Sequence, residues 1–102
     1  MIRVIDYRGK LVELTKERWQ HIVAEHPEVK EFKDKLFDIL SNPDLVKCSK
    51  KDKSVILYYR YYHKILGGKY LLAVAKVNWR SFLLTYYVTD KIKGGRIIWR
   101  KK

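Results

Sequence analysis

The dipeptide Asn42-Pro43 divides this chain into halves with different periodicities. Before it, apolar residues recur at helical spacing. After it, they alternate or run together in short stretches broken by turn residues. Proline lacks an N–H and pushes the preceding residue out of the helical region, so a helix entering Asn42 stops there. Helices first and strands afterwards imply an α+β fold, with the helices covering one face of an antiparallel sheet.

Local signals fill in this outline. Ile2 to Leu14 reads as two short strands around an Arg8-Gly9 turn. Thr15 is placed to cap a helix, with Glu17 in its first turn. Trp19, Ile22, Val23 and His26 share one face of that helix, which Pro27 ends. Val29, Phe32, Leu36, Ile39 and Leu40 form the stripe of a second helix. The expected strands are Leu45 to Ser49 (a short edge), Val55 to His63, Tyr70 to Val77, Phe82 to Thr89 and Arg96 to Trp99. Turns at Gly67-Gly68, Asn78 to Ser81 and Gly94-Gly95 make them an antiparallel meander. The 102 residues suit one domain spanning 1–102. No apolar run approaches the length of a membrane span, and the N-terminus lacks a signal-peptide core, so a cytoplasmic location is expected. Cys48 is the only cysteine and reads as a structural thiol.

The charge is distributed unevenly. Met1 to Asp44 carries 8 Lys and Arg against 9 Asp and Glu, a balance of −1. Leu45 to Lys102 carries 15 against 2, a balance of +13. Adaptation to heat would add both signs, so a one-sided excess points instead to a polyanion, with nucleic acid as the leading partner and acidic protein or lipid as alternatives.

Side chains along a strand alternate between faces. The set Val55, Leu57, Tyr59 and Tyr61 is assigned to the helix-covered face, together with Leu71, Ala73, Ala75 and Val77, and Phe82, Leu84, Tyr86 and Val88. The opposite set, Tyr58, Arg60, Tyr62, Lys76, Thr85, Tyr87 and Thr89, is then expected on an open face. Such a surface suits RNA, with tyrosines stacking bases and cations holding phosphate. An ordinary solvated sheet face is the plain alternative.

Clustered carboxylates for a two-metal nuclease are missing from the basic half, and one cysteine with three dispersed histidines builds no zinc site. No metal or cofactor is expected. Nuclease chemistry would then use the RNA 2′-hydroxyl as nucleophile, with histidine as acid or base and cations stabilising the phosphorane. His26 and His21 are the candidates, although His26 could equally be a core histidine or a cap beside Pro27.

The ordered set LTKERWQHIVAEHPEV, NPDLV, YYR, KYLLAVAKV, FLLTYYVT and GGRIIW resembles the phage-associated nuclease-like domains of the barnase–EndoU–colicin–RelE superfamily, from about Leu14 to Trp99. The resemblance implies a helical N-terminal part on a four-stranded antiparallel sheet, and metal-independent RNA cleavage by a toxin or phage-associated effector. It directs attention to His26, Arg60, Lys76, Thr85 and Tyr87. On this reading His26 is the general acid or base, with His21 in reserve. Arg60 and Lys76 stabilise the phosphorane, and Thr85 and Tyr87 orient the phosphate. Tyr58 and Tyr62 stack bases, with Thr89 and Lys91 also contacting RNA. An acidic antitoxin or inhibitor would be a second partner. A non-catalytic nucleic-acid-binding module and a protein-interaction domain are the rival readings.

Overall fold

The computed structural model describes residues Met1–Lys102. The Thr15 hydroxyl accepts a hydrogen bond from the Arg18 N–H at 3.0 Å, so the first helix begins where the sequence places its cap. This helix, α1, spans Lys16–Glu25. Pro27 ends it, and His26 becomes a non-helical cap residue with φ −132° and ψ 72°. The expected second helix is divided. Pro27–Phe32 forms a 3₁₀ segment, and only Lys35–Ser41 continues as helix α2. Val29, Leu36, Ile39 and Leu40 are all buried, so the apolar stripe survives the break.

One sheet holds every strand. Along the chain these are β1 (Ile2–Ile5), β2 (Leu11–Leu14), β3 (Leu45–Cys48), β4 (Val55–Tyr62), β5 (Lys69–Val77), β6 (Ser81–Thr89) and β7 (Arg96–Arg100). Their spatial order is β1-β2-β6-β5-β4-β3-β7. The α+β class therefore stands, but the sheet has seven strands rather than about four. It is mixed, because β2 runs parallel to β6. Leu45–Cys48 is not an edge, since it pairs with both β4 and β7. The N-terminal hairpin and the last strand extend the central meander on opposite sides. No helix is long and apolar enough to cross a membrane.

The helices cover a core that includes Ile22, Val29, Leu36, Ile39, Leu40, Val46, Ile56, Tyr58, Leu71, Ala73, Ala75 and Tyr86. The predicted faces of β5 hold. The face of β4 is reversed: Ile56 and Tyr58 lie under the helices, while Leu57 and Tyr59 join Leu45 and Leu72 in a second cluster across the sheet. In β6 a register shift opposite Val74 and Ala75 pairs Thr85 with Val74 but Leu83 with Ala75. That irregularity turns Leu83 into the core and Phe82 outward, contrary to simple alternation.

Asp6 decides the orientation of β4. It is 3% exposed and accepts hydrogen bonds from the Arg8 N–H at 2.9 Å, the Lys10 N–H at 2.8 Å and the Tyr58 hydroxyl at 2.8 Å. Burial, reinforced by the Asp6 charge, pushes the Tyr58 hydroxyl pKa up, so it stays a donor. Tyr58→Phe keeps the ring but leaves one buried carboxylate oxygen without its donor. We expect a loss of about 1.5–3 kcal/mol of stability, measured by urea unfolding. A loss below a few tenths would show that water replaces the hydroxyl.

Candidate functional site

Pro27 forces His26 out of the helix, and its ring leaves toward the sheet. There it stacks on Tyr87, with centroids 4.9 Å apart and planes at 22°. The His26 side chain is 33% exposed, with Nδ1 lying 3.8 Å from Glu28 Oε2. The same carboxylate oxygen accepts from the Val88 N–H at 3.4 Å. Glu28 thus stands between the imidazole and the strand backbone, where it can orient the ring.

Lys93 approaches Tyr87 from the connection between β6 and β7. Its ammonium lies 5.1 Å from the Tyr87 ring centroid. The neighbouring Tyr87 hydroxyl pushes the Lys93 pKa above the ordinary lysine value. Residues 90–95 must cross from β6 to β7, past β5, β4 and β3, on the face away from the helices. Two contacts pin this strap. Lys47 Nζ donates to the Lys93 carbonyl at 2.6 Å, and the Lys93 N–H donates to the Tyr59 hydroxyl at 3.1 Å. At its start, the Thr89 hydroxyl accepts from the Lys91 N–H at 3.2 Å. The supposedly open face is therefore strapped over an apolar patch of Leu45, Leu57, Tyr59 and Leu72.

The structure brings together His26, Tyr87, Thr85 and Thr89, with exposed Lys91 on the strap beyond them. Thr85 and Thr89 flank Tyr87 at alternate positions of β6 and share its face. The strand arginine is not part of this group. Arg60 lies on the helix side, where Nη1 donates to the Asn42 carbonyl at the end of α2. A cation there complements the helix dipole. Its guanidinium also sits 5.6 Å from the Tyr62 ring centroid. Tyr62 is held between Arg60 and Lys35, whose ammonium lies 5.0 Å from the ring centroid. Tyr58 is completely buried. Tyr58 therefore cannot stack a base, and Tyr62 does not stand on the face that carries His26 and Tyr87.

Lys76 is on the expected face but at its far end, four residues along β5 from the Leu72 partner of Tyr87. That separation is about 13 Å. Its ammonium is 2.6 Å from Asp52 Oδ2. His21 is exposed on the outer side of α1, with Nε2 4.0 Å from Glu17. Lys93 and Glu28 were not anticipated from sequence. Their signal lies in the topology, which the spacing of residues does not contain.

No group of three or more His, Cys, Asp or Glu side chains is arranged to hold a metal ion. Cys48 is buried, and its thiol contacts the Lys53 carbonyl at 3.2 Å. Compared with known protein families, curated proteins and solved structures, the chain matches none.

The Lys76–Asp52 pair has a testable pH signature. The Lys76 ammonium, followed by Ser54, holds the Asp52 carboxyl well below the usual carboxylate range. A folded pKa below the unfolded one contributes stability that is complete above about pH 4 and lost as the pH falls toward the folded value. Asp52→Asn has no such contribution to lose. The gap in urea midpoint between wild type and variant should therefore narrow as the pH drops from about 6 to about 2. A gap independent of pH would show that Asp52 titrates alike in both states.

Proposed function

We propose that this chain is a small basic ribonuclease domain of the barnase–EndoU–colicin–RelE type, cleaving RNA without a metal. The observation that carries this reading is the one-third-exposed His26 stacked on Tyr87, with Lys93 at the same ring. Neutral His26 takes the proton from a ribose 2′-hydroxyl. The 2′-oxygen bonds to the adjacent phosphorus, and the bond to the 5′-oxygen breaks. Tyr87 supplies the proton to that leaving oxygen. Lys93 faces the charge that grows on the phosphorane. The products are a 2′,3′-cyclic phosphate and a free 5′-hydroxyl. Thr85, Thr89 and Lys91 border the same region and would hold flanking phosphates.

This assignment moves the cationic role from Arg60 and Lys76 to Lys93. A toxin or phage-associated effector working in the cytoplasm, restrained by an acidic antitoxin or inhibitor, would suit such an activity. A second reading, an RNA-binding module without cleavage, is favoured by the engagement of Arg60 with Asn42 and of Lys76 with Asp52.

The test is RNA cleavage in EDTA, with analysis of the product ends. Wild type should generate 2′,3′-cyclic phosphates. His26→Ala should lower the rate by about 10²–10⁴-fold, and Lys93→Ala should also slow it. Lys76→Ala and His21→Ala should cleave nearly as wild type does. RNA binding that is steeply salt-dependent, with no product, would establish the second reading instead.

A further inference from the structure

The reversal of β4 turns Tyr61 toward the strap-bearing face, where it is 47% exposed. It meets Tyr70 edge to face, with centroids 5.3 Å apart and planes at 69°. Tyr70 in turn meets buried Tyr59 at 6.0 Å and 88°. The Tyr61 backbone is fixed by its N–H, which donates to Asp44 Oδ2 at 2.8 Å. Its hydroxyl end lies over the Gly67-Gly68 turn. A Cβ on Gly68 would sit 2.1 Å from that hydroxyl oxygen, and Gly68 has φ +114°, so only glycine leaves the ring in place. The ring is therefore oriented before any ligand arrives, which reduces the ordering cost of binding.

Its position relative to the proposed catalytic group follows from strand register. Tyr61 pairs with Tyr70, and Tyr70 pairs with Thr89. Tyr87 is the next residue on the same face of β6. Tyr70 and Tyr87 are thus separated by one strand spacing and two residues, about 8 Å. Adjacent nucleotides of one extended strand can reach both places. The C-terminal 58 residues carry 15 Lys and Arg against 2 Asp and Glu, which favours an anionic partner over an apolar one, and paired tyrosine rings suit the bases of a nucleic acid. Trp79, although 95% exposed, sits at the opposite end of the β5–β6 hairpin and has no such partner ring.

We infer that Tyr61 and Tyr70 form a subsite for one unpaired nucleobase of single-stranded RNA, next to the phosphate held at His26, Tyr87 and Lys93. This rests on the reading of RNA as the ligand, but not on cleavage. A base inside a duplex is stacked on its neighbours and cannot reach the Tyr61 ring, so the subsite selects unpaired RNA.

Equilibrium binding to a fluorescent 2′-O-methyl oligonucleotide tests the inference, because a blocked 2′-oxygen cannot attack. The full chain is titrated with the single strand and with its duplex. Tyr61→Ala should weaken binding of the single strand about 5- to 100-fold while changing duplex binding about twofold or less. Tyr61→Phe keeps the ring and should bind as wild type does, and circular dichroism confirms that both variants fold. Equal weakening by Phe and Ala, or full affinity in the Ala variant, would overturn the subsite alone. A wild type that binds no oligonucleotide would overturn the subsite and the RNA reading together. Binding that depends on Tyr61, alongside no cleavage of ordinary RNA, would uphold the subsite and remove only the catalytic step.

Discussion

A buried carboxylate sets the architecture on which the rest depends. Asp6 sits almost without solvent between the β1–β2 turn and the central strand β4. An unpaired charge in that place would cost several kcal/mol or more, so it must be surrounded by donors. Two backbone N–H groups of its own turn and the Tyr58 hydroxyl donate to it, and the Arg8 Nε lies 3.9 Å from the oxygen that Tyr58 holds. Tyr58 can do so only from the helix side of the sheet. Because strand side chains alternate, this one bond assigns every residue of β4 to a face. Ile56, Tyr58, Arg60 and Tyr62 go under or beside the helices. Leu57, Tyr59 and Tyr61 go to the other side, where Tyr59 anchors the strap and Tyr61 packs against Tyr70 with half its surface exposed.

Much of this arrangement could be read from the chain. The Thr15 cap, the break at Pro27, the buried residues of the second helical stretch and the strand positions all follow from local rules, because the energies behind them are local. The face of β4 was not legible for the opposite reason. Four consecutive residues, Ile56, Leu57, Tyr58 and Tyr59, are buried, since the strand lies in the interior of the sheet with an apolar cluster on each side. Alternation carries information only where one face is wet. Charge then becomes the remaining marker of an open face, and at Arg60 it points to the wrong side. Its Nη1 is engaged by the Asn42 carbonyl at the C-terminal end of α2, and its guanidinium sits beside the Tyr62 ring. Leu83 and Phe82 exchanged faces through a register shift that no residue in the sequence announces.

The strap shows how topology gathers residues that spacing cannot. Strands β6 and β7 run parallel with three strands between them, so their connection has to cross the sheet. It does so on the face that carries Leu45, Leu57, Tyr59 and Leu72, and is tied to that cluster through the Tyr59 hydroxyl. Lys93 is carried with it, its backbone tied to Lys47 and Tyr59 and its ammonium brought to Tyr87. The same crossing thereby brings a cation to the tyrosine on which the histidine stacks.

The histidine itself owes its place to an unfinished edge. Strand β2 pairs with β6 only at Ser81 and Phe82, so the remainder of β6 has no strand on that side. Bare strand edges invite pairing with other chains unless something covers them. Here the 3₁₀ segment lies along the edge. The Tyr86 hydroxyl donates to the Phe32 carbonyl at 2.8 Å, and Glu28 accepts from the Val88 N–H. A continuous helix would pass the strand with one face only. Breaking it at His26-Pro27 lets the chain bend along β6 and lays the imidazole against Tyr87. A protective device at a sheet edge and a one-third-exposed histidine on a rigid platform are therefore the same structural solution. This places a histidine of the charge-balanced, helical half against a tyrosine and a lysine of the basic, β half.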